Sequence, residues 1–161
     1  MKEILTEWRK FINENYVYLV TGSDYSKTVE QLGEDICESV VTVYNCSGND
    51  VWSYGKNIRS KNWKLPDECR KLLQSWLEVS SFPLRTGNHI EERPGMVNFS
   101  IVGRNATQGE RKLYVEYDTS NDERNTITEQ FNKQFPELDA KAGGETGIDI
   151  GPKGADKSQV I

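Results

Sequence analysis

The sequence predicts a mixed α/β fold, in which an α/β half is followed by an α+β half. In residues 1–58, amphipathic helical patterns alternate with short β-branched runs, which is typical of one layer of an α/β fold. In residues 59–153, two helical patterns flank a segment that alternates with a period of two, which is typical of helices on an antiparallel sheet. A chain of 161 residues is long enough for one ordinary domain or for two small lobes.

The first half begins with a helical pattern over residues 2–14, followed by a short apolar run at Tyr16–Val20. We expect this run to be a strand buried on both faces, because it is rich in β-branched and aromatic residues with almost no polar interruption. The polar loop Thr21–Asp24 ends it, and a second helical pattern covers residues 25–40. The apolar stripe of the first helix comprises Ile4, Leu5, Trp8, Phe11 and Ile12.

The loop Thr21–Asp24 has two interpretations. In α/β folds, ligands bind at the carboxyl ends of the strands, and a loop that precedes a helix N-terminus favours an anion. Ser and Asp are also ordinary N-cap residues, with no ligand involved. The sequence of this loop alone does not decide between the two.

The remaining elements follow from similar patterns. Val40–Tyr44 is a second strand, and a hairpin turns at Tyr54 and Gly55. Pro66 opens a helix over Asp67–Val79, and residues 122–135 form another helix. We expect Ile148–Ile150 to be a short strand, and leave open whether Lys112–Asp118 is a strand or a helix.

The most informative stretch runs from Arg93 to Arg111. Residues 95–102 alternate between apolar and polar faces and predict a half-buried strand, with Arg93 before it and Arg104 after it. The segment Phe82–Glu92 is the expected antiparallel partner, and a turn-rich segment after Arg104 brings Arg111 back toward the strand. Three guanidinium groups on one strand suit a phosphate or a sugar diol, because the planar fork binds in a bidentate way. The alternative interpretation is that these arginines lie on a surface strand and contribute only to solubility.

Composition narrows the classes of function. The net charge of −5 lacks the basic face that nucleic-acid binding needs, and no apolar run approaches the length of a membrane span. Cys37, Cys46 and Cys69 have no metal-ligand spacing and fit a reduced, cytoplasmic setting as small buried hydrophobes. A single histidine, His89, excludes a multi-histidine metal site. A thiol enzyme is not favoured, because nothing places a base beside a thiolate.

The arginine block, Arg93-x-Gly95-Met96-x-Asn98-x-Ser100-x-x-Gly103-Arg104 with Arg111 following, resembles the cap domain of eukaryotic-type phosphomannomutases of the haloacid dehalogenase superfamily. Three further segments resemble segments of the same family and occur in the same order; they are residues 20–36, 46–52 and 147–157. The resemblance implies a partial Rossmann-like haloacid dehalogenase core at residues 1–58. It implies an α+β cap with an antiparallel sheet and two helices at residues 59–153, and a return segment to the core at residues 154–161.

The resemblance also implies roles for single residues. Arg93, Arg104 and Arg111 match the cap arginines that grip the distal phosphate and hydroxyls of a hexose phosphate, and Asn98 and Asp149 match further cap contacts. The second-motif loop, here Thr21, Gly22 and Ser23, binds the phosphoryl group that is transferred. Lys157 matches the third-motif lysine, whose charge stabilises nucleophile and phosphoryl oxygens.

Two departures from the family pattern stand out. Gly147 replaces a serine, so one phosphate hydrogen bond is missing unless Thr146 substitutes for it. The first motif, Asp-x-Asp with its nucleophile, and the fourth, metal-holding motif are absent from the sequence. Phosphoryl transfer through an aspartyl-phosphate needs that carboxylate and a divalent ion. We therefore expect the chain to be part of a longer enzyme and inactive alone, with Mg²⁺ used by the complete family but not bound tightly here.

Three hypotheses about function follow. The chain is phosphomannomutase-like, or it is a sugar-phosphate phosphatase of the same superfamily, or it is a non-catalytic domain that binds a hexose phosphate or dimerises through its cap. Expected partners are a mannose or glucose phosphate, a second copy of the chain, and a complementary polypeptide that carries the missing motifs. Neither nucleic acid nor a membrane is expected.

Overall fold

The structure, a computed structural model, describes residues 2–160, with side chains from Thr6 onward. It forms two compact units. The first extends to Asn62 and also includes the segment from Gly154 onward, and the second is Trp63–Lys153. The boundary expected after residue 58 falls inside a strand, Lys56–Ser60, which belongs to the first unit.

The first unit contains a four-stranded sheet. Its elements are α1 (Lys2–Glu14), β1 (Tyr18–Val20), α2 (Tyr25–Leu32), α3 (Glu34–Ser39), β2 (Thr42–Asn45), β3 (Asp50–Ser53) and β4 (Lys56–Ser60). The strand order is β1-β2-β3-β4, in which β1 and β2 are parallel and the later pairs are antiparallel. The β3–β4 hairpin turns at Tyr54 and Gly55, as predicted.

The single helix predicted over residues 25–40 is divided at Gly33. This glycine has a φ of 97°, outside helical geometry, and its N–H donates to the carbonyl of Val29. Glycine adopts positive φ without steric cost and commonly ends helices. The pattern therefore identified the helical residues but not the break that separates α2 from α3.

The prediction that Tyr16–Val20 is buried on both faces is wrong. Tyr18 is 56% exposed and Val20 is 41% exposed, whereas Leu19 packs against the core of this unit. β1 lies at the edge of its sheet, and of its two faces only that of Leu19 packs against the core. Trp8 and Phe11 of α1 are also substantially exposed, and the side chains of Ile4 and Leu5 lie outside the described residues.

The second unit packs helices on an antiparallel sheet. Its elements are α4 (Asp67–Val79), β5 (Ile90–Arg93), β6 (Met96–Phe99), α5 (Gln108–Asn121), α6 (Glu123–Gln134), β7 (Leu138–Gly143) and β8 (Gly147–Pro152). The strand order is β5-β6-β8-β7, and every pair is antiparallel. The core includes residues from the three helices and from one face of the sheet, among them Leu73, Val97, Phe99, Tyr114, Ile127, Phe131, Ile148 and Ile150.

The mixed α/β fold class is confirmed, and so is the helix Asp67–Val79. The segment Lys112–Asp118, which the sequence left open between strand and helix, lies within helix α5. This helix is additional to the two that were expected in the second half of the chain. β7 was not predicted, and the strand expected over residues 95–102 is confined to Met96–Phe99. Arg93 accordingly ends β5 and pairs with Met96 across the turn.

The three cysteines are free thiols, and they are buried, as expected if they serve as small apolar residues. Burial raises the pKa of the Cys69 thiol to about 11. Within residues 2–160, no helix combines the length and the apolar character needed to cross a membrane.

Candidate functional site

The sheet of the second unit has one polar face. Val97 and Phe99 point toward the helices, so the alternation of a strand turns Asn98 to the opposite face. The register then places Glu91, Asn98, Asp149 and Lys141 in one row across the four strands. Nδ2 of Asn98 donates to Oδ1 of Asp149 at 2.6 Å, which links the two central strands of the row.

Two of the predicted arginines meet the same carboxylate. Nε of Arg93 donates to Oε2 of Glu91 at 3.0 Å, and Nε of Arg104 lies 3.0 Å from that same oxygen. The Arg104 contact is an ion pair by distance only, because its buried Nε–H has no hydrogen-bond partner among the described residues. The side chain of Arg93 is 11% exposed and that of Arg104 is 26% exposed.

Arg111 reaches the same place from α5. Its Nη2 donates to the carbonyl of Arg104 at 2.9 Å and its Nε to the carbonyl of Ala106 at 3.0 Å. Helix α5 is fixed at this end by a capping box, in which Thr107 and Glu110 satisfy each other's backbone donors. Arg111 thus fastens the loop that carries Arg104.

Contacts of Arg104 link it to the other two arginines: it shares Glu91 with Arg93, and Arg111 donates to its carbonyl. Burial lowers the pKa of Arg104, and the positive charges of Arg93 and Arg111 lower it further, whereas the carboxylate of Glu91 opposes these effects. Like charges at short range disfavour one another, and the cost increases as water is removed. The structure therefore brings Arg93 and Arg104 to one carboxylate, with Arg111 attached to the loop that carries Arg104.

Two buried polar atoms, at β6 and just after it, have no hydrogen-bond partner in the part of the chain that is described. They are Oδ1 of Asn98 and Oγ of Ser100. Buried polar groups are nearly always satisfied, so these two atoms are candidates for contact with a ligand. An amide oxygen and a hydroxyl match the hydroxyl groups of a sugar.

Gly147 makes room for Asn98. A Cβ at position 147 would lie 2.7 Å from Nδ2 of Asn98, which is closer than side chains approach. Thr146, the residue considered as a substitute for the missing serine, is buried immediately before β8. The β7–β8 hairpin is held by Arg124, whose Nη1 donates to the carbonyl of Gly144 at 3.1 Å and whose Nε donates to Asp118 at 2.7 Å.

The loop of Thr21, Gly22 and Ser23 belongs to the first unit and follows β1. The Thr21 N–H donates to the carbonyl of Tyr44 at 2.9 Å, and the Ser47 N–H donates back to the Thr21 carbonyl at 2.9 Å. The Ser23 N–H is engaged by Oγ1 of Thr21 at 3.1 Å, so this N–H does not point to a ligand. Asp24 caps α2 by accepting from the Lys27 N–H at 2.8 Å, so the ordinary N-cap interpretation describes the loop's last residue.

Lys157 lies exposed in a 3-10 turn, Lys157–Val160, of the same unit. This turn is attached to the loop after β2, because Nε2 of Gln159 donates to the carbonyl of Ser47 at 2.6 Å. Thr21 and Gln159 therefore both hydrogen-bond to the backbone of Ser47. The structure thus brings the Lys157 segment and the Thr21 loop to the same strand end.

Sequence reasoning missed Glu91 and Ser100 as members of the site. Alternation over residues 95–102 already predicted Ser100 on the face of Asn98, but the burial of its hydroxyl is visible only in the structure. Among the described residues, no group of three or more His, Cys, Asp or Glu side chains could hold a metal ion.

Comparisons with known proteins agree with this architecture. The family profile described as eukaryotic phosphomannomutase matches residues 1–161. The phosphomannomutase of Saccharomyces cerevisiae is 32% identical over 168 residues, with 99% of this chain and 66% of that protein covered. The phosphomannomutase of Schizosaccharomyces pombe is 31% identical over 172 residues, with 100% of this chain and 66% of that protein covered. The chain thus spans about two thirds of the length of these relatives.

Solved structures show the same fold at low identity. The C-terminal domain of the trehalose synthase regulatory protein of Candida albicans gives a TM-score of 0.58 at 17% identity, with 98% of this chain and 52% of that chain covered. The sucrose-phosphatase of Synechocystis gives 0.51 at 12% identity, with 98% of this chain and 61% of that chain covered. These neighbours have the haloacid dehalogenase fold with a cap, so the fold implied by the resemblance is confirmed. From the match along its whole length, the chain belongs to the eukaryotic phosphomannomutase family.

Proposed function

We propose that this chain binds hexose phosphates, such as mannose 1-phosphate or mannose 6-phosphate, through the polar face of its second unit. The observation that supports this most strongly is that Arg93 and Arg104 share Glu91, which lies across from Asn98, while Arg111 holds the loop of Arg104. The second unit, residues 63–153, then serves as the substrate-binding cap. A phosphate carries several acceptor oxygens that guanidinium groups bind in pairs, and sugar hydroxyls both donate and accept.

Each residue has a definite role in this proposal. The arginines bind the distal phosphate, and Asn98 with its partner Asp149 binds sugar hydroxyls. In the first unit, the hydroxyls of Thr21 and Ser23 and the backbone at Gly22 receive the phosphoryl group that is transferred. Lys157 supplies a positive charge that stabilises phosphoryl oxygens, because a cation aimed at developing negative charge lowers the barrier. The association of the Thr21 loop with the Lys157 segment around Ser47 supports placing these residues in one site.

We assign the chain to mutase rather than phosphatase chemistry, because a mutase must hold a second phosphate when its bisphosphate intermediate turns over. Three arginines in the cap serve that need, whereas a simple phosphatase does not require them. The alternative, a sugar-phosphate phosphatase of the same superfamily, differs in that it does not retain the distal phosphate.

The 161-residue chain by itself is proposed to bind without turnover. Its sequence contains no Asp-x-Asp, and arginines and one lysine cannot attack a phosphoryl group. The complete family uses Mg²⁺ to offset phosphoryl charge, but the described residues form no cluster that would hold it. A non-catalytic role in sugar-phosphate binding or in dimerisation through the cap is the second candidate, and turnover separates the two.

The test is a binding titration of the purified chain with mannose 6-phosphate, monitored by calorimetry. Arg104→Ala is expected to weaken binding by at least roughly tenfold, which corresponds to the loss of one charge-assisted contact. Arg70→Ala is the matched control, because Arg70 pairs with Glu92 on the helical side of the sheet. Equal affinity of the Arg104 variant and the unmodified chain would remove Arg104 from the site.

A second assay tests turnover. The unmodified chain is incubated with Mg²⁺, mannose 1-phosphate and a trace of hexose bisphosphate, and mannose 6-phosphate is measured. We expect none to form. Product formed by the chain alone would contradict the requirement for the missing carboxylate.

A further inference from the structure

One carboxylate on the polar face serves two of the three arginines. Oε2 of Glu91 accepts from Nε of Arg93 at 3.0 Å and lies 3.0 Å from Nε of Arg104. The two arginines belong to different segments: Arg93 is the last residue of β5, and Arg104 lies in the loop that follows β6. Glu91 stands between them on β5, directly across from Asn98.

The neighbouring glutamate on the same strand provides a comparison. Glu92 points to the other face of the sheet, across from Val97, and pairs with Arg70 of α4. The side chain of Glu92 is 48% exposed, whereas that of Glu91 is 32% exposed and its partner Arg93 only 11%. A partly buried ion pair is less screened by solvent than an exposed one, so Glu91 has the larger electrostatic effect.

Without a counter-charge, the arrangement of the arginines would be unfavourable. Arg104 is half-buried and lies within the field of Arg93 and Arg111, and burial together with both charges disfavours its charged form. Guanidinium groups that repel one another separate when nothing holds them. Glu91 is the carboxylate that ion-pairs with both Arg93 and Arg104.

We propose that Glu91 is a positioning residue of the arginine site: it holds Arg93 and Arg104 together in the free protein, so that a hexose phosphate meets a preset pair of guanidiniums. This inference rests on the proposed function. The contact of Arg104 with Glu91 is made through Nε, and the side chain of Arg104 is 26% exposed. Preset groups lose less conformational freedom on binding, and this advantage is greatest for a ligand that must contact several groups at once.

The first test compares two ligands on three proteins: the unmodified chain, Glu91→Gln and Glu92→Gln. The glutamine variants keep the side-chain shape and remove the charge. For Glu91→Gln, we expect mannose 6-phosphate to bind roughly tenfold more weakly and inorganic phosphate to bind within about twofold of the unmodified chain. The small ion reorients in a loosened site, whereas the hexose phosphate must reach the arginines and Asn98 together. Glu92→Gln is expected to leave both affinities within about twofold.

Three results would overturn the inference. Unchanged binding of mannose 6-phosphate by Glu91→Gln would remove the positioning role. Tighter binding of both ligands would make Glu91 a competitor of the anion. Equal losses for both ligands, accompanied by a lower Tm, would make it a structural residue only. Failure of the unmodified chain to bind mannose 6-phosphate overturns the proposed function instead.

A ligand-free measurement tests Glu91 independently of the substrate. Nitrogen-15 NMR of the free chain resolves arginine Nε–H groups and their hydrogen exchange. In Glu91→Gln, the Nε–H of Arg93 is expected to exchange about tenfold faster, because its charged acceptor is lost. Glu92→Gln is the control and should leave this signal unchanged. Identical exchange in all three proteins would show that Glu91 does not hold Arg93.

Discussion

At the scale of single residues, the polar face depends on close contacts that a single added carbon would disturb. Asn98 is buried, its amide donates to Asp149 at 2.6 Å, and it occupies the space that the absent side chain of Gly147 leaves. The serine that the family has at this position would need Asn98 to move. Gly147 and Asn98 therefore depend on each other for space.

Gly147→Ser is expected to lower the free energy of unfolding by about 1–2 kcal/mol, because the new Cβ would lie within 2.7 Å of Nδ2 of Asn98 in a filled region. Chemical denaturation measures this. Gly109→Ala is the control: it lies in α5, where an added Cβ meets only Oγ1 of Thr107 at 4.0 Å. That variant should gain about 0.5–1 kcal/mol from helix propensity. A neutral Gly147→Ser variant would mean that Asn98 has room to move.

At the scale of elements, α5 joins the core to the arginine site. Its first turn is closed by Thr107 and Glu110, and Arg111 extends from the next position to the loop of Arg104. Its buried face presents Tyr114, whose hydroxyl donates to Glu123 of α6 at 3.0 Å. Burial, reinforced by the negative charge of Glu123, raises the pKa of Tyr114, so this hydroxyl stays protonated and keeps its donor role.

The capping box predicts a dependence of stability on pH. Hydrogen bonds from the backbone and then the side chain of Thr107, followed by Thr86, lower the pKa of Glu110 from its ordinary value of 4.5. The unfolded chain therefore binds the proton more readily, and the stabilisation is present above pH 4.5 and lost as pH falls through the lower folded value. We expect Glu110→Gln to lower Tm at pH 7 and to flatten the fall of Tm below pH 4.5. Parallel Tm curves for the two proteins would contradict the assignment.

Packing of α4 gives a second prediction at this scale. Leu73 is 0% exposed in the core of the second unit, whereas Leu113 on α5 is 53% exposed. Leu73→Ala is expected to cost about 2–5 kcal/mol, because it loses burial and leaves a cavity. Leu113→Ala is the matched control and should change the free energy of unfolding by less than about 0.5 kcal/mol. Similar losses for both variants would mean that the α4 face is not part of the core.

At the scale of the whole molecule, the two units differ in how much apolar surface they bury. The core of the second unit joins three helices to a four-stranded sheet. Among the side chains described, the buried cluster of the first unit is small and comprises Ile12, Val17, Ile36, Val40 and Val43, while Tyr18 and Val20 on its edge strand are exposed. Edge strands with exposed apolar side chains invite pairing with another chain.

The first unit is accordingly expected to be the less stable of the two. Native-state hydrogen exchange should show amide protons of β1 exchanging faster than those of β6, which lies in the interior of the other sheet. Limited proteolysis should cut residues 2–62 before residues 63–153. Concentration-dependent protection of β1 would indicate that a second copy covers it. Earlier cleavage of the second unit would contradict the expectation.

The sequence by itself determined the helices with strong periodicity, the β3–β4 hairpin and the identity of the three arginines, because local patterns carry that information. Tertiary structure decided the rest. It divided a predicted helix at Gly33, exposed β1 at a sheet edge and made Lys112–Asp118 helical. It also placed Glu91 between Arg93 and Arg104, and Gly147 beneath Asn98. The break at Gly33 and the helix over Lys112–Asp118 are local features that the patterns did not resolve. The others depend on how separate strands pair and pack, since strand register and burial arise only when the elements come together.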